Sequence, residues 1–214
     1  PKYGLITNIG KTHCELLGSQ ENIAQAKCEL LAHIPSDGVI ALNSSDRALI
    51  APWLDTCKGR IVWYDATGRD KNAEYRAENI IQHAEGITYE LHAGDHSEKI
   101  HLAVHGVHNV SNSMAAIAIA REVGVDWKSI VSALAQAKLT GMRLDITKNA
   151  DGVTVINDAY NANPDSMKSA ISVLMNQEGS RKIAVLGDMY ELGKYEEQSH
   201  REVGNEAAVQ HVDY

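Results

Sequence analysis

Two hydrophobic periods alternate along this chain, and their alternation predicts helices packed around a largely parallel sheet. An apolar strand opens the sequence near Leu5 to Asn8. Ser19 then caps a helix whose apolar stripe is Ile23, Ala26, Leu30, Leu31 and Ile34, ended by Pro35. Gly38 to Leu42 and Arg60 to Tyr64 read as buried strands on either side of a short helix near Ala48 to Leu54. From Tyr75 to Val104 the period changes to two, with Gly86 and Gly94 at candidate turns, which predicts an antiparallel meander attached to the parallel strands. A helix from about Asn109 to Val123 stops at Gly124, and a second starts at Asp126 with Ile130, Val131 and Leu134 on one face.

Beyond Gly141 a fresh alternation begins, and a domain boundary is expected there. Arg143 to Ile146 and Val153 to Ile156 form a hairpin through Asp151-Gly152. A helix follows with Met167, Ala170, Ile171 and Leu174 at helical spacing; then comes a strand, Ile183 to Leu186, and a polar helix from about Glu196 to Gln210. The fold class is therefore α/β.

Composition adds exclusions. With 44% hydrophobic and 22% charged residues among 214, the chain has an ordinary globular composition and enough length for a substantial core. Its formal charge of -8 argues against a protein built to grip a nucleic-acid backbone. No apolar run approaches the roughly 20 residues of a membrane span, and no signal peptide opens the chain. Three cysteines, Cys14, Cys28 and Cys57, are odd in number and lack a CxxC pair, so reduced thiols and a cytoplasmic setting are expected. Both ends read as cut: no initiator Met precedes Pro1, and His211 to Tyr214 stops where a new strand could start.

The densest chemistry lies in Asn157-Asp158-Ala159-Tyr160-Asn161-Ala162-Asn163-Pro164, an almost wholly polar turn between a strand and a helix. Asn163 suits an N-cap and Pro164 the first helical turn. That leaves Asp158, Tyr160 and Asn161 at the carboxyl end of a strand, where open α/β sheets place ligands; a well-capped, solvated turn is the plainer reading. Lys27 falls on the apolar stripe of its helix, where it either snorkels or is buried for use. A buried amine with a lowered pKa can react with carbon dioxide, and the carbamate would offer oxygen donors to magnesium. His13 and Glu15 follow the first strand and could face the same place.

Other candidates are weaker. Gly10-Lys11-Thr12 imitates a phosphate-binding loop, but five residues rather than four separate Gly4 from Gly10, and no helical stripe follows Thr12 directly. Asn109, after Gly106-Val107-His108, is an N-cap or an amide able to pair with an adenine edge. The histidines 92, 96, 101, 105 and 108 are spread over a meander and lack zinc-site spacing. Gly187-Asp188-Met189 places another carboxylate at a strand's end.

Six segments in order resemble the Mur ligases, the ATP-dependent amide-forming enzymes of peptidoglycan precursor synthesis. They are Ile6 to Gly10 with His13 and Glu15; Gly18-Ser19 with Ile23 to Lys27; Gly106 to Asn109; Arg143-Leu144; Asn157 to Met167; and Val185 to Met189 with Glu191 to Gly193. The resemblance implies an incomplete P-loop-type central ATP-binding domain over 1–140 and the first part of a Rossmann-like domain over 141–214. It implies Lys27 as the lysine carbamylated in related ligases, His13 as a magnesium ligand beside it, Asn109 at the adenine, Arg143 at the phosphates and Asp158 at the ribose. Tyr160, Asn161 and Asn163 would lie near nucleotide or incoming substrate. The implied cofactors are ATP and Mg2+. The run Asn157 to Met167 points to the branch whose substrates are UDP-N-acetylmuramoyl-tripeptide and D-alanyl-D-alanine. In such enzymes ATP phosphorylates a carboxylate, an amine attacks the acyl phosphate, and phosphate leaves.

Departures are also visible. The family's glycine-rich phosphate loop does not occur in these residues, Lys11-Thr12 stands where relatives carry a small residue, and Cys14 replaces an apolar one. The 214-residue chain is therefore expected to be inactive alone. Three other readings remain: a sister ligase acting on the same precursor or on folate, a non-catalytic nucleotide-binding module, and a nucleotide-binding oxidoreductase, for which no G-x-G-x-x-G follows a strand.

Overall fold

A computed structural model describes residues 1–10, 14–83 and 85–214. His13, with Lys11, Thr12 and Ala84, lies outside the described residues. Six strands form one sheet in sequence order: β1 (Tyr3–Ile6), β2 (Val39–Asn43), β3 (Arg60–Asp65), β4 (Tyr75–His83), β5 (Gly86–Ala93) and β6 (His96–Leu102). Pairs β1·β2, β2·β3 and β3·β4 are parallel, and β4·β5 and β5·β6 are antiparallel. The fold is α/β, with the period-two segment forming the expected meander.

Strand β2 explains how the layers assemble. All five of its residues are buried, as a parallel strand covered on both faces requires. Ile40 and Leu42 join Ile6, Ile23, Cys28, Leu31 and Ile50 on one side, while Val39 and Ala41 join Val62, Tyr64, Val110, Met114 and Ile117 on the other. Burying each large side chain contributes about 1.5–3 kcal/mol. An exposed ion pair such as Lys2–Asp37 contributes far less, so this two-sided core outweighs the surface charges.

The first side is covered by α2 (Gln20–Ala32), capped by Ser19, whose hydroxyl accepts the Asn22 N–H at 3.2 Å. Its buried residues are Ile23, Ala24, Cys28 and Leu31. The face is rotated from the expected stripe: Ala26 and Lys27 are exposed, so the premise of a buried Lys27 is corrected. The other side is covered by α4 (His108–Glu122) and flanked by α5 (Trp127–Leu134). Between β2 and β3 the expected short helix is α3 (Arg47–Ile50) continued by a 3₁₀ turn. A four-residue helix, α1 (Cys14–Leu17), precedes α2.

The remaining residues carry the expected hairpin, β7 (Asp145–Lys148) and β8 (Thr154–Asn157), followed by α6 (Pro164–Met175) and α7 (Glu196–Val209). Arg143 and Leu144 were expected in the first strand of that hairpin but lie before it, because Leu144 takes a left-handed φ of 47° that no strand accommodates. The segment Ile183 to Leu186 is also not a regular strand. Among the described residues its backbone bonds reach the last residues of the chain, Ala184 N–H donating to Tyr214 C=O at 2.8 Å and, beside it, Asp213 N–H to Lys182 C=O at 2.9 Å. Val185 is 95% exposed, so the apolar run lacks a covering layer among the described residues.

Close approach at Gly59 holds the β2–β3 edge together. A Cβ there would stand 2.5 Å from both Gly38 O and Ile34 Cγ2. Gly59→Ala is expected to cost about 1–3 kcal/mol by overpacking, read as a lower urea midpoint with unchanged slope; an unchanged midpoint would show that the edge relaxes freely.

Candidate active site

The main chain leaving β1 is gripped by five side chains. Asn43 Nδ2 donates to Thr7 O at 3.0 Å and to Ser111 Oγ at 3.2 Å, joining β1, β2 and α4. The Tyr64 hydroxyl lies 3.1 and 3.0 Å from Ile6 O and Thr7 O, and its burial pushes the phenol pKa far up, so it stays a neutral donor. Lys27 Nζ donates to Asn8 O at 2.7 Å, Gln20 Nε2 donates to Ile9 O at 2.7 Å, and Asp46 Oδ2 accepts Ile9 N–H at 2.8 Å. Burial raises the Asp46 pKa, while the Ile9 N–H and the Lys27 charge oppose that rise. Lys27 is thus exposed yet placed at the carboxyl end of β1, an edge strand of the sheet, with a carboxylate in its field.

A second cluster forms where the hairpin part meets the six-stranded part. Met142 and Leu144 both have positive φ, 59° and 47°, on either side of Arg143. Such non-glycine conformations persist only where surrounding contacts hold them. Here Leu144 N–H donates to Asp158 Oδ1 at 2.9 Å, and Tyr160 N–H donates to Met142 O at 3.1 Å. The Leu144 side chain is 6% exposed. Arg143 places its guanidinium carbon 4.2 Å from the centre of the Tyr160 ring, a cation–π contact. Tyr160 is otherwise 61% exposed.

The turn before α4 completes this cluster. Gly106 has φ 87°, and a Cβ there would stand 2.6 Å from His108 Cε1 and 2.8 Å from Leu144 Cδ1. His108 Nδ1 lies 2.9 Å from Ser169 Oγ on α6. Solvent reaches part of His108, yet the protein crowded around its ring lowers its pKa, with Asp158 opposing that effect. Burial raises the Asp158 pKa, and the Leu144 N–H, His108 and Arg143 work against it.

Asn109 is not the N-cap that its sequence position allowed. It lies inside the first turn of α4, 6% exposed, and Val107 occupies the cap position. Its amide donates to His105 O at 2.7 Å and accepts from Asn112 Nδ2 at 3.0 Å, leaving one N–H and one lone pair for anything else. Asn163 does cap α6, accepting Ser166 N–H at 2.9 Å within a capping box. Asn161 is exposed. Asn163, Pro164 and Asp165 face Ile9, Gly10 and Gln20 across a cavity of about 120 Å³, also lined by Ser199 and Glu202. Asp158, Tyr160, Arg143 and Asn109 therefore gather at the junction, while Lys27 belongs to the β1 frame.

Sequence reasoning missed Asn43, Asp46, Tyr64 and Ser169. The Asn43-Ser44-Ser45-Asp46 run after an apolar strand was a usable signal for the first two. Nothing local marked Ser169. Asp188, singled out for its place after an apolar segment, lies 2.7 Å from His200 Nε2. His200 Nδ1 is 2.8 Å from Glu196 O, and Met189 N–H donates to Asp188 Oδ1 at 3.1 Å, so the pair ties the 187–189 loop to α7. Among the described residues no group of three His, Cys, Asp or Glu side chains is gathered to hold a metal ion. No helix is long and apolar enough to cross a membrane among those residues.

Comparison with known proteins supplies independent findings. The Mur ligase middle domain model matches residues 1–120, and the Mur ligase glutamate ligase domain model matches residues 142–214. A UDP-N-acetylmuramoyl-tripeptide--D-alanyl-D-alanine ligase of Bacillus subtilis is 36% identical over 214 residues, 100% of this chain and 45% of the relative. The enzyme of that name from Escherichia coli is 32% identical over 213 residues, 46% of its length. The chain thus spans a little under half the length of these curated relatives. Among solved structures, MurF from Acinetobacter baumannii superposes with a TM-score of 0.89 at 32% identity, over 100% of this chain and 46% of that one. The MurF ligase of Thermotoga maritima in complex with ADP reaches 0.82 at 23% identity, over 98% of this chain and 47% of that one, a likeness of fold.

Two outcomes follow from the geometry. Asp158→Ala leaves the Leu144 N–H unpaired and is expected to destabilise the chain by about 1–3 kcal/mol, whereas Asp158→Asn retains an acceptor and is expected to cost less; equal losses in urea unfolding would contradict the role of that hydrogen bond. The carbonyl of Glu196, then Asp188, raises the His200 pKa above its ordinary value. Its protonated form therefore stabilises the loop fully below the unfolded-state value, and that stabilisation is lost as pH rises through the folded-state one. A histidine NMR titration is expected to show the raised pKa, with Asp188→Asn moving it down; no movement would sink the pairing.

Proposed function

The chain belongs to the Mur ligase family, and on that premise we propose that it is part of an ATP-dependent amide ligase adding D-alanyl-D-alanine to UDP-N-acetylmuramoyl-tripeptide through an acyl phosphate. The observation that carries this reading is the junction itself. Arg143 is an obligate cation that makes no hydrogen bond among the described residues, and it stands over Tyr160 beside Asp158 and the Gly106–Asn109 turn. A free guanidinium flanked by a carboxylate and an aromatic face suits a nucleotide: phosphate for the cation, ribose hydroxyls for the carboxylate.

In this reading residues 1–140 are the central ATP-binding domain and residues 141–214 the start of the carboxyl-terminal one. Asn109 offers its remaining amide N–H and lone pair to the adenine edge. Asp158 keeps Oδ1 on Leu144 and offers Oδ2 to the ribose. Arg143 neutralises phosphate charge, and Tyr160 holds the guanidinium plane. Tyr160, Asn161 and Asn163 border the place where the incoming dipeptide would enter, next to the cavity shared by Asn163, Asp165, Ile9 and Gly10. ATP, when bound, supplies the phosphoryl group that activates a carboxylate; the chain's own residues orient and neutralise, so positioning and electrostatics carry the catalysis.

Lys27, if carbamylated, and His13 would serve catalysis as magnesium ligands. The described residues gather no ready-made donor set for that ion. The exposed Nζ of Lys27, held at Asn8 O, is accessible to carbon dioxide. A cytoplasmic location accords with Cys14, Cys28 and Cys57 being thiols rather than disulfides.

Phosphate release separates the parts of this reading. The 214-residue chain alone is expected to release none with ATP, tripeptide substrate and D-alanyl-D-alanine. A chimera with these residues in place of the matched portion of the Bacillus subtilis relative is expected to be active, and Arg143→Ala in it to lose about 10²-fold or more in kcat/KM. Undiminished turnover in that variant would remove Arg143 from the site, and activity of the isolated chain would refute its predicted inactivity.

A further inference from the structure

The cavity of about 120 Å³ between the exit of β1 and the start of α6 contains a hydroxyl that the fold itself leaves unused. Ser199, on α7, is 3% exposed, and its Oγ makes no hydrogen bond among the described residues. Buried polar groups are ordinarily paired, and a serine within a helix commonly returns its hydroxyl to a carbonyl one turn back. Ser199 leaves that bond unmade and lines the cavity instead.

Two more uncommitted oxygen groups line the same space. Gln20 Nε2 donates to Ile9 O at 2.7 Å; a carbonyl only accepts, so the NH2 end of the amide is fixed there and Oε1 is left over. Asp165, the second residue of α6, forms no ion pair or side-chain hydrogen bond among the described residues. Glu202 also lines the cavity but is already engaged, by Lys168 Nζ at 3.0 Å and Gln198 Nε2 at 2.9 Å. A carboxylate in a first helical turn is favoured by the helix dipole alone, so Asp165 by itself implies no ligand. The buried hydroxyl of Ser199 has no such account.

A carboxylate, a hydroxyl and an amide carbonyl around a small space complement a compact cation with several N–H donors, which is a primary ammonium. Ile9 and Pro164 add apolar wall beside it. We propose that this cavity is the subsite for the α-ammonium of the incoming amine substrate, held by Asp165, Ser199 Oγ and Gln20 Oε1, with the first alanyl methyl group against Ile9 and Pro164. The proposal deepens, and rests on, the reading of the chain as part of a ligase that adds D-alanyl-D-alanine. Gln20 comes from α2 and the other two from α6 and α7, so the amine is gripped from both sides of the cavity.

Titration of the isotope-labelled 214-residue chain with D-alanyl-D-alanine reads this binding by NMR. The amides of Gly10, Gln20, Asp165 and Ser199 are expected to shift together, whereas N-acetyl-D-alanyl-D-alanine, which lacks the ammonium, is expected to leave them in place. Asp165→Asn keeps the shape and removes the charge, and is expected to weaken the apparent Kd about tenfold; Ser199→Ala is expected to weaken it about fivefold. In the chimera with the Bacillus subtilis relative, Asp165→Asn is expected to raise the KM for the dipeptide about tenfold and leave that for ATP unchanged, a split that a general loss of stability does not produce. Absence of shifts at these amides with the dipeptide, or equal shifts with its N-acetyl form, overturns the proposal. Equal shifts with methylammonium chloride would make the cavity a general cation site and overturn its assignment to the dipeptide. Cavity shifts in the chain alongside a folded but inactive chimera leave the amine subsite standing and overturn the ligase reading instead.

Discussion

One hydrogen bond, from the Leu144 backbone to Asp158, supports the geometry of the junction. Leu144 is a bulky residue in a left-handed conformation, which costs of order 1–3 kcal/mol and persists only under external restraint. Asp158 supplies that restraint, and several arrangements depend on it. With Leu144 held, its side chain fills the space that Gly106 leaves open, Arg143 projects over Tyr160, and the hairpin starts in register at Asp145. A residue expected to meet a ligand is therefore also part of the scaffold. Its two oxygens allow both tasks, because one lone-pair set faces the hinge and the other remains available.

The frame around residues 7–9 solves a different problem. A chain leaving the carboxyl end of a parallel strand has polar main-chain groups without ladder partners. Asn43, Tyr64, Lys27, Gln20 and Asp46 provide those partners from one helix, one turn and two strands. The exit path of β1 is consequently specified by side chains instead of by a turn motif. This arrangement holds Lys27 and Asp46 near one another without burying the lysine, so charge proximity and exposure coexist there.

Elements with strong periodicity were legible in the sequence: β2, β3, the meander, the hairpin and the caps at Ser19, Asp126 and Asn163 all follow from local pattern. The phase of α2 was not, because Ile23, Ala26 and Leu30 fit a stripe as well as Ile23, Ala24, Cys28 and Leu31 do; only packing against Ile40 and Leu42 selects the second. Arg143 and Leu144 read as strand because their side chains suit one, and the tertiary bond to Asp158 overrides that preference. Ile183 to Leu186 has strand composition without a covering layer, so composition alone misplaces it. Of the candidate site, Asp158, Tyr160 and Asn109 were marked by polar residues at element ends. Ser169 was invisible because its partner is 61 residues away.

The switch from parallel to antiparallel pairing at β4 carries a consequence for how this chain reaches its native state. In the meander, partners such as Ala93 and His96 are neighbours in sequence, whereas Tyr3 must find Val39 and Val39 must find Arg60 across long connections. Closing those loops costs chain entropy before any contact offsets it, so local pairing is the faster half of the sheet. The meander is thus a template laid down early, and the strands that frame Lys27 are added to it afterwards. As a hypothesis, pulsed hydrogen exchange would record amides of β5 and β6 gaining protection ahead of those of β1 and β2, and simultaneous protection would refute that order.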